Sequence, residues 1–502
     1  MSKPETVGAL RASGYRPRTV RAEVRDNLRR KLANGERLFP GVLGYDRTVI
    51  PGIVNALLAG HDFILLGLRG QAKTRLLRAI TDLMDDEIPI LLGSELNDDP
   101  LDPISVPGQK MIAELGDDAP VAWLPREARY NEKLATPDVS IADLLGDIDP
   151  IKAATRRLTY ADPEVIHYGI IPRTNRGVFA INELPDLAPR IQVGLLNMLE
   201  ERDLQIRGFP VRIPLDILLV FSANPEDYTN RGSIITPLKD RISSQILTHY
   251  PDDVETAAAI TAQEAWTERD GADGIEVPEQ VRLMVEEIAV TARDSELVDQ
   301  TSGVSARMPI SALELLYSNL ERRRLTTGDE SVYPRVCDLH MLLPAITGKV
   351  EMVYEGEQQG AEVVARKLIG QGVKKVFDRD LPEVTRAVGS GGEDDTGPYS
   401  DIVRWFAAGN TITLTDDIPF TDYLQELDQV PGLLDFARSN ATGETAEEIA
   451  FTAELVLEGL HQHLKLARQD LDSQVSYKEM VKFQLLKPNR RRRTAFDDPD
   501  VN

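Results

Sequence analysis

The residues Gly67-Leu68-Arg69-Gly70-Gln71-Ala72-Lys73-Thr74 lie between an apolar run, Phe63-Ile64-Leu65-Leu66, and an amphipathic stretch that begins Arg75-Leu76-Leu77. A strand that ends in a glycine-bearing loop and restarts as a helix presents free backbone N–H groups at a positive helix end, which is a cradle for phosphate. In such a cradle Lys73 reaches the β- and γ-phosphates of a nucleoside triphosphate and the Thr74 hydroxyl holds Mg2+. ATP with Mg2+ is therefore the expected cofactor, taken by Gly67, Gly70, Gln71, Ala72, Lys73, Thr74 and Arg75. Ala72 departs from the pattern, which has glycine there. Its methyl group fits if the backbone keeps φ negative. The competing reading is a strand–turn–helix with a surface lysine.

A second constellation follows in Gly177-Val178-Phe179-Ala180-Ile181-Asn182-Glu183-Leu184-Pro185-Asp186. An apolar strand that delivers two polar residues at its C-terminal end sets a magnesium-side group and a water-activating carboxylate beside a γ-phosphate. Glu183 is the expected catalytic base. Asn182 stands on the metal side with Thr74, where an aspartate is usual. Its amide oxygen can accept a hydrogen bond from a magnesium-bound water but adds no negative charge. A third buried-type strand, Leu215 to Ala223, ends in Asn224-Pro225. Asn224 suits the orientation of an attacking water, and it equally suits a turn initiator before proline. In Pro237-Leu238-Lys239-Asp240-Arg241-Ile242, Arg241 is either a charge that reaches a neighbouring subunit's γ-phosphate or half of a solvated Asp–Arg pair.

In this order the elements resemble the AAA+ superfamily, and within it the MoxR and magnesium-chelatase I-subunit group, over roughly residues 36 to 350. The most specific stretches are Tyr168 to Gly177 leading into Asn182-Glu183-Leu184, and Ser222-Ala223-Asn224-Pro225 followed by Leu238-Lys239-Asp240-Arg241-Ile242. The resemblance implies that Lys73 and Thr74 match Walker A, Asn182 and Glu183 Walker B, Asn224 sensor 1 and Arg241 the arginine finger. Ser305-Ala306-Arg307-Met308 looks like sensor 2, which makes Arg307 a second arginine at the γ-phosphate. Without the family, Arg307 reads as a helix-start residue. Gly41-Val42-Leu43-Gly44-Tyr45 resembles the family's adenine-side linker, which adds Leu43 and Gly44 to the nucleotide-binding set.

The stretch from Thr74 to Asn182 is longer than one crossover helix and strand require, which implies an insertion. Ser140 to Asp149 within it is similar to a segment that the family carries there. Glu201 to Ile213 alternates apolar and polar residues about Gly208 and reads as a β-hairpin. The family sets such a hairpin before sensor 1 on the pore-facing surface, as a partner contact; a plain surface hairpin is the other reading.

The expected fold is α/β: an AAA+ phosphate-loop core with a parallel sheet flanked by helices, then an all-α lid and a mainly α C-terminal module. The expected divisions are an N-terminal helical arm (1–35), the core (36–250), a helical lid and extension (251–385), a glycine-rich linker or loop (386–400), a mainly helical module (401–485) and a flexible tail (486–502). That tail carries Arg490-Arg491-Arg492-Arg493, read as solubilising or as a contact for an acidic surface. The chain has 502 residues and a formal net charge of −24. That charge disfavours a DNA-wrapping role, since phosphate neutralisation needs a local excess of Lys and Arg. A single cysteine, Cys337, excludes an internal disulfide and a cysteine-cluster metal site. With no apolar run of membrane-spanning length and no signal core, a cytoplasmic chain without membrane or nucleic-acid partners is expected.

The resemblance thus implies an ATP-hydrolysing ring motor of MoxR type that remodels a protein client. It would form a homo-oligomeric ring, a hexamer, and work with a separate von Willebrand A domain protein, since the Asp-x-Ser-x-Ser pattern of that domain is missing here. One alternative is the ATPase subunit of a metal chelatase, which shares every motif. Another is a slowly hydrolysing, nucleotide-dependent scaffold, motivated by Ala72 and Asn182. A sigma-54-type activator is disfavoured because the Gly-Ala-Phe-Thr-Gly-Ala loop is absent.

Overall fold

Short apolar runs with no polar alternation are the mark of strands covered on both faces. In the computed structural model, which describes residues 3–156, 163–205, 212–225, 233–270, 274–384, 397–471 and 474–480, the runs of the N-terminal half form a parallel sheet. Its five strands are β1 (Phe63–Leu66), β2 (Tyr130–Leu134), β3 (Gly177–Asn182), β4 (Ile217–Ala223) and β5 (Ser244–Leu247). They lie in the order β5-β1-β4-β3-β2. Every residue of β1, β3 and β4 is buried.

Successive side chains point to opposite faces, and two apolar clusters result. Phe63, Leu65, Val178, Ala180, Leu218 and Val220 pack with helices α1 (Val20–Ala33) and α2 (Val49–Leu58). Ile64, Leu66, Phe179, Ile181, Leu219 and Phe221 pack on the other side against Ile171, Ile191, Leu195 and Met198. Each fully buried side chain of this kind contributes about 1.5–3 kcal/mol by leaving water.

The stretch expected as an N-terminal arm is built into this unit. Val20, Val24 and Leu28 of α1 are buried, and Glu23 on the same face meets Arg129 in a buried two-pronged pair at 2.7 and 2.6 Å. Asp62, just before β1, accepts from Arg21 and from the Leu219 backbone, at 2.6 and 2.9 Å.

The insertion has local order of its own. Ser140 caps the helix Ile141–Leu144 in a reciprocal box with Asp143, and Gly146–Ile148 pairs antiparallel with Ile166–Tyr168. Asp203–Gln205 pairs antiparallel with Arg212–Pro214, as a hairpin requires; Gly208 lies outside the described residues.

The chain divides into two compact units, Met1–Asp252 and Asp253–Asn502. The second holds α5 (Glu279–Asp294), α6 (Arg307–Thr327), α7 (Ala361–Asp380) and α8 (Ala446–Gln462), with shorter helices between them. It also contains a three-stranded antiparallel sheet of β6 (Ile412–Thr415), β7 (Leu466–Leu471) and β8 (Gln474–Glu479), in the order β6-β8-β7. One apolar core runs from Val277 through Phe377 to Tyr477. The stretches expected as lid and C-terminal module therefore share a single interior. Most of the expected linker, 386–396, and the whole expected tail with Arg490 to Arg493 lie outside the described residues. Among the described residues no helix is long and apolar enough to cross a membrane.

Candidate functional site

Strand register brings the sequence-predicted groups of the first unit to one edge. Leu66 of β1 is opposite Ala223 of β4 and Leu247 of β5, and Phe221 of β4 is opposite Ile181 of β3. The residues that leave these strands, Gly67, Glu183, Asn224 and Thr248, therefore emerge together at the C-terminal end of the sheet. The strand order reverses there, with β4 and β5 on either side of β1, and such a crevice is where open α/β sheets take ligands.

The phosphate-loop run leaves β1 between its two neighbours: Gly67 N donates to Ala223 O at 3.2 Å, and Thr248 N to Leu66 O at 2.7 Å. Helix α3 (Lys73–Arg78) follows. Lys73 is buried, and its ammonium donates to the carbonyls of Gly67 and, at 3.0 Å, Leu68. Thr248 Oγ1 donates to Gln71 Oε1 at 2.6 Å, and both side chains are buried. A Cβ on Gly67 would stand 1.8 Å from Thr248 Oγ1 and 2.1 Å from Gln71 Oε1, so only glycine fits. Gly70 has φ of +75°. Arg75 is exposed on α3.

Ala72 corrects the sequence expectation. Its φ is +55°, the left-handed region, not the negative φ at which an alanine sits without strain. An L-residue there brings Cβ close to the following carbonyl at about 1–2 kcal/mol. The closed loop, with Gln71 tied to Thr248 and Lys73 starting a helix, leaves the intervening residue no other course.

Asn182 ends β3, and Glu183 after it is again left-handed, at φ +54° and ψ +50°. Strained non-glycine backbone of this kind concentrates at functional sites. Thr74 Oγ1 donates to Asn182 Oδ1 at 3.4 Å, and Ser222 Oγ donates to the same oxygen at 3.1 Å. Glu183 N in turn donates to Ser222 Oγ at 3.4 Å. The Asn182 amide thus stands within reach of two hydroxyls, one from the loop's helix and one from β4. Asn224 is 3% exposed, directly after β4.

Arg241 is the last residue of α4 (Thr236–Arg241). The start of α4 is fixed by buried Gln192, which accepts from Ile235 N at 2.9 Å and donates to Ser233 O at 3.1 Å. Arg241 pairs with Glu200 at 2.7 Å and donates to Pro237 O at 3.0 Å, with its side chain 29% exposed. Arg307 belongs to the second unit, exposed at the first position of α6.

In the expected adenine-side linker, Leu43 is half-buried and Gly44 exposed, with φ +80° at Gly44. The neighbour that the sequence reading left without a role is Tyr45. Its buried hydroxyl bonds to Gln71 O at 3.0 Å and to His249 O at 2.7 Å, and its ring meets the His249 ring edge-on at 5.1 Å. Burial pushes this phenol up to about 12, so it stays a donor at ordinary pH. Tyr250 Oη donates to Arg69 O at 2.8 Å. Thr248 and Tyr250 belong to no motif, and Tyr45 and Ser222 stand in stretches that resemble the family without a role assigned to them.

The donor set fits magnesium that arrives with a nucleotide. Among the described residues no group of three or more His, Cys, Asp or Glu is placed to hold a metal by itself. Magnesium, however, takes few protein ligands and keeps waters and phosphate oxygens. With its hydrogen directed at Asn182, Thr74 Oγ1 keeps its lone pairs for such an ion.

No protein-family profile matches the chain. It is 27% identical over 181 residues to magnesium-chelatase subunit ChlI of Guillardia theta, covering 36% of this chain and 47% of that one, so the similarity spans about half of the relative's length. Among solved structures, one of the complex between subunits BchI and BchD of magnesium chelatase is similar at 19% identity and a TM-score of 0.33, covering 64% of this chain and 98% of that one. NtrX from Brucella abortus in complex with ATP is similar at 14% identity and a TM-score of 0.38, covering 74% of this chain and 70% of that one.

Proposed function

We propose that this chain, which is of the AAA+ type and of the group of MoxR proteins and magnesium-chelatase I subunits, hydrolyses ATP as a subunit of a ring motor that remodels a protein partner. The observation that carries the reading is the shared sheet edge. There Lys73, Thr74, Asn182, Glu183 and Asn224 emerge from three adjacent strands, with Thr74 and Asn182 hydrogen-bonded across them.

In this account the Lys73 ammonium exchanges the carbonyls of Gly67 and Leu68 for the β- and γ-phosphates, where its charge is needed. Thr74 Oγ1 is the protein ligand of Mg2+, which when bound neutralises charge on the phosphate oxygens. Glu183 takes the proton of the attacking water, and Asn224 orients that water. Arg241 leaves Glu200 to reach the γ-phosphate of a neighbouring subunit, and Arg307 serves the same phosphate from the lid. ATP binding orders the ring, and hydrolysis moves the lid to act on the partner, a separate von Willebrand A domain protein or its client.

The chelatase reading has its own support in the ChlI similarity. Under it the partner is a second chelatase subunit and the work is metal insertion, so ATP-dependent insertion of a metal into a porphyrin with added subunits decides for it. The shared-site feature is tested by mixing. Arg241→Ala and Glu183→Gln proteins, each inactive alone, should regain partial ATP hydrolysis together, since each supplies what the other lacks. Mixtures as inactive as their components would remove the arginine from its trans role.

A further inference from the structure

Resting on the nucleotide reading above, we infer that Tyr250 is a positioning residue of the phosphate cradle: its hydroxyl holds the Arg69 carbonyl and so turns the N–H of Gly70 towards the anion. Tyr250 Oη donates to Arg69 O at 2.8 Å, and the bond has one sense because a carbonyl only accepts. The peptide bonds of the described residues are trans. In a planar trans unit the C=O of one residue and the N–H of the next point in opposite directions. With the Arg69 oxygen drawn to the phenol, the Gly70 N–H therefore points away from Tyr250. The course of the backbone says what lies on that side. φ is positive at Gly70 and Ala72, +75° and +55°, and not at Arg69, Gln71 or Lys73. Such alternation turns successive N–H groups to one concave face, which is a site for an anion.

Tyr250 is itself held in place. It lies two residues beyond Thr248, whose N–H is tied to Leu66 O at the end of β1. The Tyr250 carbonyl accepts from His249 Nδ1 at 2.7 Å, and the same ring meets Thr48 Oγ1 through Nε2 at 2.7 Å. Pro251 follows and restricts the Tyr250 backbone to extended conformations. The phenol thus reaches the loop from a braced segment outside it, and it fixes one peptide plane of the cradle without touching the ligand.

Calorimetric binding of ATP and of inorganic tripolyphosphate to the full-length protein, with Mg2+, tests this beside Tyr250→Phe, Tyr250→Leu and Lys73→Ala. Tyr250→Phe removes only the hydroxyl and should weaken both ligands by the same factor, about twofold to tenfold, the worth of one hydrogen bond. Tyr250→Leu should lose no more than Tyr250→Phe. Thermal melts of the nucleotide-free variants that match wild type assign the loss to the cradle. Tyr250→Phe binding both ligands as wild type does overturns the role. A loss confined to Tyr250→Leu overturns it too, since the ring's packing and not its hydroxyl would then matter. A loss on ATP without one on tripolyphosphate also overturns it, by moving the tyrosine to the base or ribose. If wild type binds neither ligand better than Lys73→Ala, the nucleotide reading itself fails.

Discussion

Two residues at the sheet edge hold left-handed backbone without being glycine, Ala72 before Lys73 and Glu183 after Asn182. For Ala72 the strain of about 1–2 kcal/mol is opposed by the greater entropy glycine would have in the unfolded chain, about 0.4–1 kcal/mol. Ala72→Gly should therefore leave stability unchanged or raise it by up to about 1.6 kcal/mol, with ATP binding retained. A melting temperature clearly below wild type would contradict the strained loop. The strand–loop–helix at 63–78 was legible because its spacing is local, but the sign of φ at Ala72 was not. That sign follows from Gln71 being tied to Thr248, a partner far along the chain whose place depends on the sheet. The hydrogen bonding of Asn182 was hidden for a similar reason, since Ser222 comes beside it only when β3 and β4 pair.

At the scale of elements, β1, β3 and β4 were legible, β2 and β5 with their polar residues were not, and the neighbours of none were. Unbroken apolar runs such as Gly177–Asn182 and Ile217–Ala223 announce double-sided burial, while nothing local says that β5 and β4 flank β1. That order is what brings the exit of β5 against the phosphate loop, where Thr248, Tyr250 and Tyr45 hold it from the side. Gly67→Ala probes the fit. Its methyl would overlap the Thr248 and Gln71 side chains, so ATP affinity should fall by an order of magnitude or more while the helical circular-dichroism signal persists. An alanine variant that binds ATP like wild type would mean that the loop does not depend on this closure.

At the scale of the molecule, the packing of the second unit is what no local pattern carries. A linker or loop was read at the glycine-rich stretch that begins at Gly389, and the apolar core includes residues on both sides of it, from Val277 to Tyr477. Buried Glu454 of α8 accepts from Val336 N at 2.7 Å, Cys337 N at 2.9 Å and Tyr423 Oη at 2.6 Å, and burial pushes its carboxyl up. These contacts are long in sequence and carry no periodic signal. Glu454→Ala would leave three buried donors unpaired, at about 1–3 kcal/mol each. Hydrogen exchange should then rise together in α6, α7 and α8; protection lost in α8 alone would return the C-terminal stretch to a separate module. The central claim, that ATP is hydrolysed at the edge where β1, β3 and β4 end, is tested most directly by the steady-state ATPase rate of wild type beside Glu183→Gln. The account predicts measurable turnover by wild type and a loss on the order of 10²-fold or more in the variant, as for removal of a general base; a variant as fast as wild type would contradict it.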